Sequence, residues 1–224
     1  VLFSVVLMLA LITSDNLRSQ GFNSITTADG INVIAVGTGN ISGNVYRSYN
    51  GGTTWAAYSI PGVVLNSVTS FNNDVWIAGS NGMIYKTLKN NSPINPITTD
   101  ITTSINSIHF INELTGYFCG DNGAVYRSAD GGLTWTPINT GIPSVKLNSI
   151  HFLDDQKGIV AGDNGTVFVT ANGGNIWTPE NTGSVNNLLK AKFFNDGLAI
   201  TGSNGTLLLK PNSSSWESVN MRIR

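Results

Sequence analysis

Four Asn-Gly pairs, Asn81-Gly82, Asn122-Gly123, Asn164-Gly165 and Asn204-Gly205, punctuate the chain at spacings of 41, 42 and 40 residues. Asn-Gly between apolar runs is the strongest short-range hairpin signal, because both central positions of a type I′ turn need positive φ. A chain marked so regularly is one small unit written several times. The segment Ser42-Gly43-Asn44 is read as the corresponding turn of a first copy, which makes five.

Each turn leads into a short alternating strand: Val45–Ser48, Ile84–Thr87, Val125–Ser128, Val167–Thr170 and Leu207–Lys210. Two more strands precede each turn. The first is written Phe22-Asn23-Ser24-Ile25, Leu65-Asn66-Ser67-Val68, Ile105-Asn106-Ser107-Ile108 and Leu147-Asn148-Ser149-Ile150, and the second ends in Gly37, Gly79, Gly120, Gly162 and Gly202. A fourth strand follows a Trp at 55, 135, 177 or 216. Four short strands in about 41 residues, with no sustained helical period, are the signature of a propeller blade. The expected fold is therefore all-β, a β-propeller of four-stranded blades with five repeats, over about 22–61, 62–101, 102–143, 144–184 and 185–220. A truncated larger ring or an open stack of blades is the alternative.

The third copy carries the fullest motif, Ser128-Ala129-Asp130-Gly131-Gly132-Leu133-Thr134-Trp135. Asp130 is placed to accept bonds from the turn backbone, Gly131 and Gly132 to supply dihedrals that a Cβ penalises, and Ser128 and Thr134 to tie the hairpin. Trp135 is expected to fold beneath the turn as apolar surface between blades. Ser48, Asn50, Gly52 and Trp55 repeat the motif, as do Thr170, Asn172, Gly174 and Trp177, with Asn in place of Asp. The second copy has lost the glycines and Trp, reading Asn90 to Ile97, and the fifth keeps Trp216 behind Ser213-Ser214-Ser215.

These boxes resemble the aspartate-box (BNR) repeats of sialidase-like propellers, and still more closely the propellers of the photosystem II assembly and stability factor family. The resemblance covers about residues 22 to 220 and is specific in the first, third and fourth copies. It implies a propeller whose boxes are structural and whose faces bind partner proteins during biogenesis of a membrane complex. The dense arginine patch that would carry that role over is missing.

Enzymatic readings find little support. A sialidase-like site needs converging arginines, yet Arg47 and Arg127 share one repeat slot and should point from equivalent places on separate blades, while Arg18, Arg222 and Arg224 flank the repeats. Paired carboxylates such as Asp154-Asp155 fall on turns. His109 and His151 sit at matching positions, each followed by Phe, which argues for architecture over catalysis. No nucleophile elbow and no metal-ligand spacing occurs, so no catalytic residue, metal or cofactor is expected. Cys119 is the single cysteine and reads as a buried small side chain.

The reading that remains is a non-enzymatic interaction or assembly scaffold, with a glycan-binding module or sialidase-like hydrolase as the alternative. Asn23, Asn66, Asn106 and Asn148 are candidate binding amides near a channel rim. Lys190 and Lys192, where the fifth copy breaks the pattern, are candidate binding cations. With 12 Lys plus Arg against 13 Asp plus Glu and no basic run, nucleic acid is not an expected partner. The apolar run Val1 to Ile12 is too short to cross a bilayer as a helix and has the length of an export-signal core, so residues 1–21 are set apart from a propeller domain at 22–224, and the expected location is periplasmic or extracellular.

Overall fold

A computed structural model describes residues 21–219 apart from 28, 39–41, 91, 195–196 and 212–213. The apolar run at the start, Asn195-Asp196, Arg18, Arg222 and Arg224 therefore lie outside the described residues. The chain packs as two compact units, Val1–Ile105 and Asn106–Arg224.

In the first unit, β1 (Gly21–Thr27), β2 (Val33–Thr38), β3 (Ser42–Ser48) and β4 (Ala56–Pro61) form one antiparallel sheet in chain order. β5 (Leu65–Phe71), β6 (Asp74–Gly79), β7 (Ile84–Leu88) and β8 (Asn95–Ile97) form the second. Ile34, Val36 and Val45 of the first sheet pack against Leu65, Val68 and Ile77 of the second. Alternating apolar residues thus make a dry layer between like sheets, which is why one blade alone cannot be stable.

Three sheets make the second unit: β9 (Ile105–Phe110), β10 (Gly116–Gly120), β11 (Val125–Ser128) and β12 (Thr136–Pro137); β13 (Leu147–Phe152), β14 (Gly158–Gly162), β15 (Val167–Thr170) and β16 (Thr178–Pro179); and β17 (Leu188–Phe194), β18 (Gly197–Gly202), β19 (Leu207–Lys210) and β20 (Glu217–Ser218). Each is again a four-stranded antiparallel meander. Val160 faces the third sheet and Ile159 the fifth, so successive residues of one strand serve two cores. The five blades expected from the turn spacing are all present.

The Asn-Gly turns adopt the expected left-handed backbone at both positions, with φ of 57° and 68° at Asn81 and Gly82 and 60° and 72° at Asn122 and Gly123. One expectation fails. Ser42-Gly43-Asn44 is strand, not turn: Thr38 pairs with Gly43 and Gly43 with Ile60. Glycine is needed there for room, since a Cβ on Gly43 would lie 2.5 Å from Leu65 Cγ. The second copy also keeps its fourth strand without a box, pairing Tyr85 with Pro96 and Lys86 with Asn95 at a sheet edge where proline is tolerated.

The innermost strands carry a feature the sequence signalled but did not name. Register shifts fall between Phe22 and Ser24, Leu65 and Ser67, Leu147 and Ser149, and Leu188 and Lys190. The skipped residue is Asn23, Asn66, Asn148 or Leu189. A bulge re-aims one side chain, and here it re-aims the repeated asparagine.

Candidate functional site

The boxes are closed hydrogen-bond circuits. Ser128 Oγ donates to Asp130 Oδ1 at 2.8 Å and accepts from Gly132 N at 2.9 Å, while Asp130 accepts from Thr134 N at 2.9 Å and from Thr134 Oγ1 at 2.5 Å. These bonds, led by the Thr134 hydroxyl, hold the Asp130 carboxyl below its ordinary range. Asparagine does the same work: Asn50 Oδ1 accepts from Ser48 Oγ and Thr54 N, and Asn172 Oδ1 from Thr170 Oγ1 and Ile176 N. Gly51, Gly52, Gly131, Gly132, Gly173 and Gly174 all have positive φ.

The box tryptophans differ in depth. Trp177 is buried with Tyr117, Cys119 and Val125 of the third blade and Phe152 and Val160 of the fourth, an inter-blade position. Trp135 is half-buried and rests on Phe110 and Phe118 of its own sheet, with its Nε1 donating to Gly132 O at 3.0 Å. Trp55 repeats that bond to Gly52 O, and Trp216 turns its Nε1 to Glu180 instead.

The four candidate amides each donate from Nδ2 to a carbonyl of the next sheet's first strand. Asn23 Nδ2 donates to Leu65 O at 2.7 Å, Asn66 to Ile105 O at 3.0 Å, Asn106 to Leu147 O at 2.9 Å and Asn148 to Leu188 O at 3.0 Å. Asn106 and Asn148 also donate to Asp121 and Asp163 at 2.9 and 2.7 Å. The neighbouring hydroxyls add to this: Ser24 exchanges bonds with the Val68 backbone and Ser149 with that of Ala191. The fifth blade puts Leu189 at the bulge, so the series stops there and leaves a leucine exposed.

What the second unit displays on its innermost strands is basic. His109, His151 and Lys192 occupy one repeat slot on β9, β13 and β17. The two imidazoles lie 4.5 Å apart at 31°, a pairing the sequence placed on neighbouring blades without showing that the rings touch. His109 Nε2 donates to Phe152 O at 3.0 Å, which fixes that proton and leaves Nδ1 as an acceptor, while His151 Nδ1 accepts a long bond from Phe193 N at 3.5 Å. Burial lowers both groups, His109 to about 4 and His151 to about 3, with His109 and Lys192 adding to the depression at His151. Both rings are neutral at pH 7.

Lys190 and Lys192 are solvent-exposed and make no ion pair among the described residues. Partial desolvation of Lys190, reinforced by the Lys192 charge, nevertheless pulls its ammonium below the ordinary range. Cys119 is fully buried, and burial drives its thiol far up, so it offers no thiolate.

The two arginines of one slot have different fates. Arg127 is exposed. Arg47 is 2% exposed, donates to Ser92 O and Thr87 Oγ1 at 2.7 Å each, and lies 5.3 Å from the Tyr58 ring centre. The two arginines stand at matching places of separate sheets, but their surroundings differ: the segment that replaces the second box folds its carbonyl onto Arg47.

A family model described as photosynthesis system II assembly factor YCF48 matches residues 86–178. A solved structure of YCF48 bound to D1 peptide superposes with a TM-score of 0.71 at 18% identity, covering 90% of this chain and 69% of that one. The chain resembles a BNR-type propeller of the photosystem II assembly kind. YCF48 from Cyanidioschyzon merolae gives the same TM-score at 16% identity over 93% of this chain and 74% of that one. A Niastella koreensis GH74 enzyme also gives 0.71, at 14% identity over 88% of this chain but 38% of its own. No curated protein matches by sequence. These likenesses carry the propeller architecture, to which many functions attach.

Proposed function

We propose that the chain is a non-enzymatic interaction scaffold that holds a partner polypeptide during assembly of a larger complex. The observation that carries the reading is the division of labour on the inner strands of the second unit. Repeated amides and hydroxyls are consumed by inter-blade bonds, whereas Lys190 and Lys192 are exposed and free of ion pairs among the described residues. Rigid strands present those cations at fixed spacing, which lowers the entropic cost of gripping a partner. The similarity to YCF48, one structure of which holds a D1 peptide, supports a polypeptide as the bound class.

Affinity capture from the native source, comparing the wild-type chain with Lys190→Ala plus Lys192→Ala, tests the reading. The double variant is expected to lose about tenfold of the captured partner, equivalent to 1.4 kcal/mol, with a Tm shift within about 2 °C. Equal capture by both chains sinks it.

The domain boundary near residue 22 and an exported location, read from the apolar run Val1 to Ile12, belong to the same proposal. Among the described residues no helix is long and apolar enough to cross a membrane. Fractionation of cells expressing the native gene addresses the location: recovery in the cytosol rejects export.

A further inference from the structure

The third and fourth blades form an open recess of about 490 Å³ where the ends of β9 and β13 meet the turns that follow them. Its lining includes His109, Phe110, His151, Phe152, Leu153 and Asp155, all within the second unit. Phe110 and Phe152 are 3% and 2% exposed, their rings packed inside the blades, so the apolar surface of the recess is that of Leu153, 47% exposed. This is a surface on which an aliphatic stem loses water.

Asp154 is committed to its own turn, its Oδ1 accepting from Gln156 N and Lys157 N at 2.8 and 2.6 Å. Asp155, its exposed neighbour, has no hydrogen bond or ion pair to its carboxylate among the described residues. The imidazoles that share the lining are neutral and lie 4.5 Å apart, His109 offering Nδ1 as an acceptor. Lys192 acts on both imidazoles from β17 but does not line the recess, and Lys190 does not line it either. An unpaired carboxylate, a ring acceptor and an apolar stem surface complement a long cationic side chain.

We propose that this recess receives an arginine side chain of the partner polypeptide, its guanidinium against Asp155 and the His109 Nδ1 edge and its methylenes on Leu153. The assignment rests on the scaffold reading above and names a subsite of opposite charge preference to Lys190 and Lys192. A partner segment held by both carries an acidic and a basic group at a spacing set by two neighbouring blades. That makes the recess a device for register, since a uniformly acidic segment satisfies the lysines alone.

The chain has two histidines, so their ring protons report on the recess directly by nuclear magnetic resonance. The probes are a blocked Gly-Arg-Gly tripeptide and its citrulline counterpart, which keeps the shape and removes the charge, titrated into the full chain at pH 7. The arginine peptide is expected to shift both imidazole signals saturably. Citrulline and the Asp155→Asn variant should each weaken binding by about fivefold, the upper range for a partly exposed ion pair. Equal binding of the two peptides, unmoved imidazole signals or an unchanged Asp155→Asn affinity overturns the proposal. Unmoved signals alongside loss of capture by the Lys190→Ala plus Lys192→Ala chain reject the recess and leave the scaffold reading standing.

Discussion

Arg47 in the first unit and Arg127 in the second are written in the same repeat slot, one residue after a tyrosine, yet one is buried under a neighbouring blade and the other is exposed. The difference lies in the next copy. Behind Arg127 the fourth blade carries an intact box at Thr170–Trp177, whose turn groups bond one another and leave only the Trp177 Nε1 without a partner among the described residues. Behind Arg47 the second blade has no box, and its Ser92 carbonyl and Thr87 hydroxyl take hydrogen bonds from the guanidinium instead. A lost local motif is thus replaced by a bond from the preceding blade. Lys86, in the same slot of the second blade, is also spent, on Asp74 at 2.8 Å and over the Trp76 ring.

The inner strands differ in parallel fashion. Where the second unit has His109 and His151, the first has Thr26 and Thr69, and Thr26 simply shares a hydroxyl bond with Ser70 at 2.8 Å. One unit carries a pair of half-buried bases in that slot and the other carries uncharged hydroxyls. Acid should therefore find the second unit first.

The largest expected effect is at the buried box indole. Trp177→Ala should destabilise the second unit by about 3–5 kcal/mol, because a large ring leaves a closed inter-blade layer. Trp135→Ala, removing a half-buried ring, should cost about half as much. Chemical denaturation giving the two variants equal losses would erase the distinction drawn between them.

Arg47→Ala should cost about 2 kcal/mol, since it strips two charge-assisted bonds and empties a buried site, although Thr87 Oγ1 still bonds Ser92 O, whereas Arg127→Ala should stay within about 0.5 kcal/mol. Similar midpoints for the two variants contradict the claim that the slot is used differently.

The histidine pair sets a pH dependence with a definite sign. Folded values of about 4 and 3 lie below the ordinary 6.5, so the unfolded chain binds more protons between those limits. Stability from the neutral pair is complete above pH 6.5 and is lost as pH falls toward 4 and 3, on the order of a few kcal/mol in total. Hydrogen exchange across pH 7 to 4 should show protection falling in the second unit first, and His109→Gln with His151→Gln should flatten that response. Equal loss in both units denies the imidazoles this role.

The smallest effect separates the two box residues. Asp130→Asn should be neutral to within about 0.5 kcal/mol, because Asn50 and Asn172 already fill the same acceptor position, while Asp130→Ala should cost about 1 kcal/mol through the lost Thr134 bonds. The carboxylate's contribution is present above the unfolded pKa and lost as pH falls through its depressed folded value, a dependence the Asn boxes lack. An acid profile unchanged by Asp130→Asn rejects that assignment.

Much of this architecture was legible in the chain because its instructions are local. Positive φ at Asn122 and Gly123, and the Ser128 to Thr134 circuit, involve residues within a few positions of each other, so composition at fixed spacing reports them. Ser42-Gly43-Asn44 misleads for the same reason: it looks like a turn locally, but its glycine answers to Leu65 on another strand. The asparagines were visible as a repeat, but their bonds were not, since each amide is aimed at a backbone carbonyl some 40 residues away. Leu153 and Asp155 drew no attention as a pair with His109, because a recess has no sequence signature when its walls come from two copies of the repeat.

Sequence alone determined how many blades the chain writes, where their turns fall and which copies have kept a self-sufficient box, since steric and hydrogen-bond constraints act there over a few residues. Tertiary structure alone decided which like-placed side chains are buried, which are free and which meet, because burial and desolvation arise only when one sheet is laid against the next. Arg47 and Arg127 are the same letter in the same place, and packing gives them different chemistry.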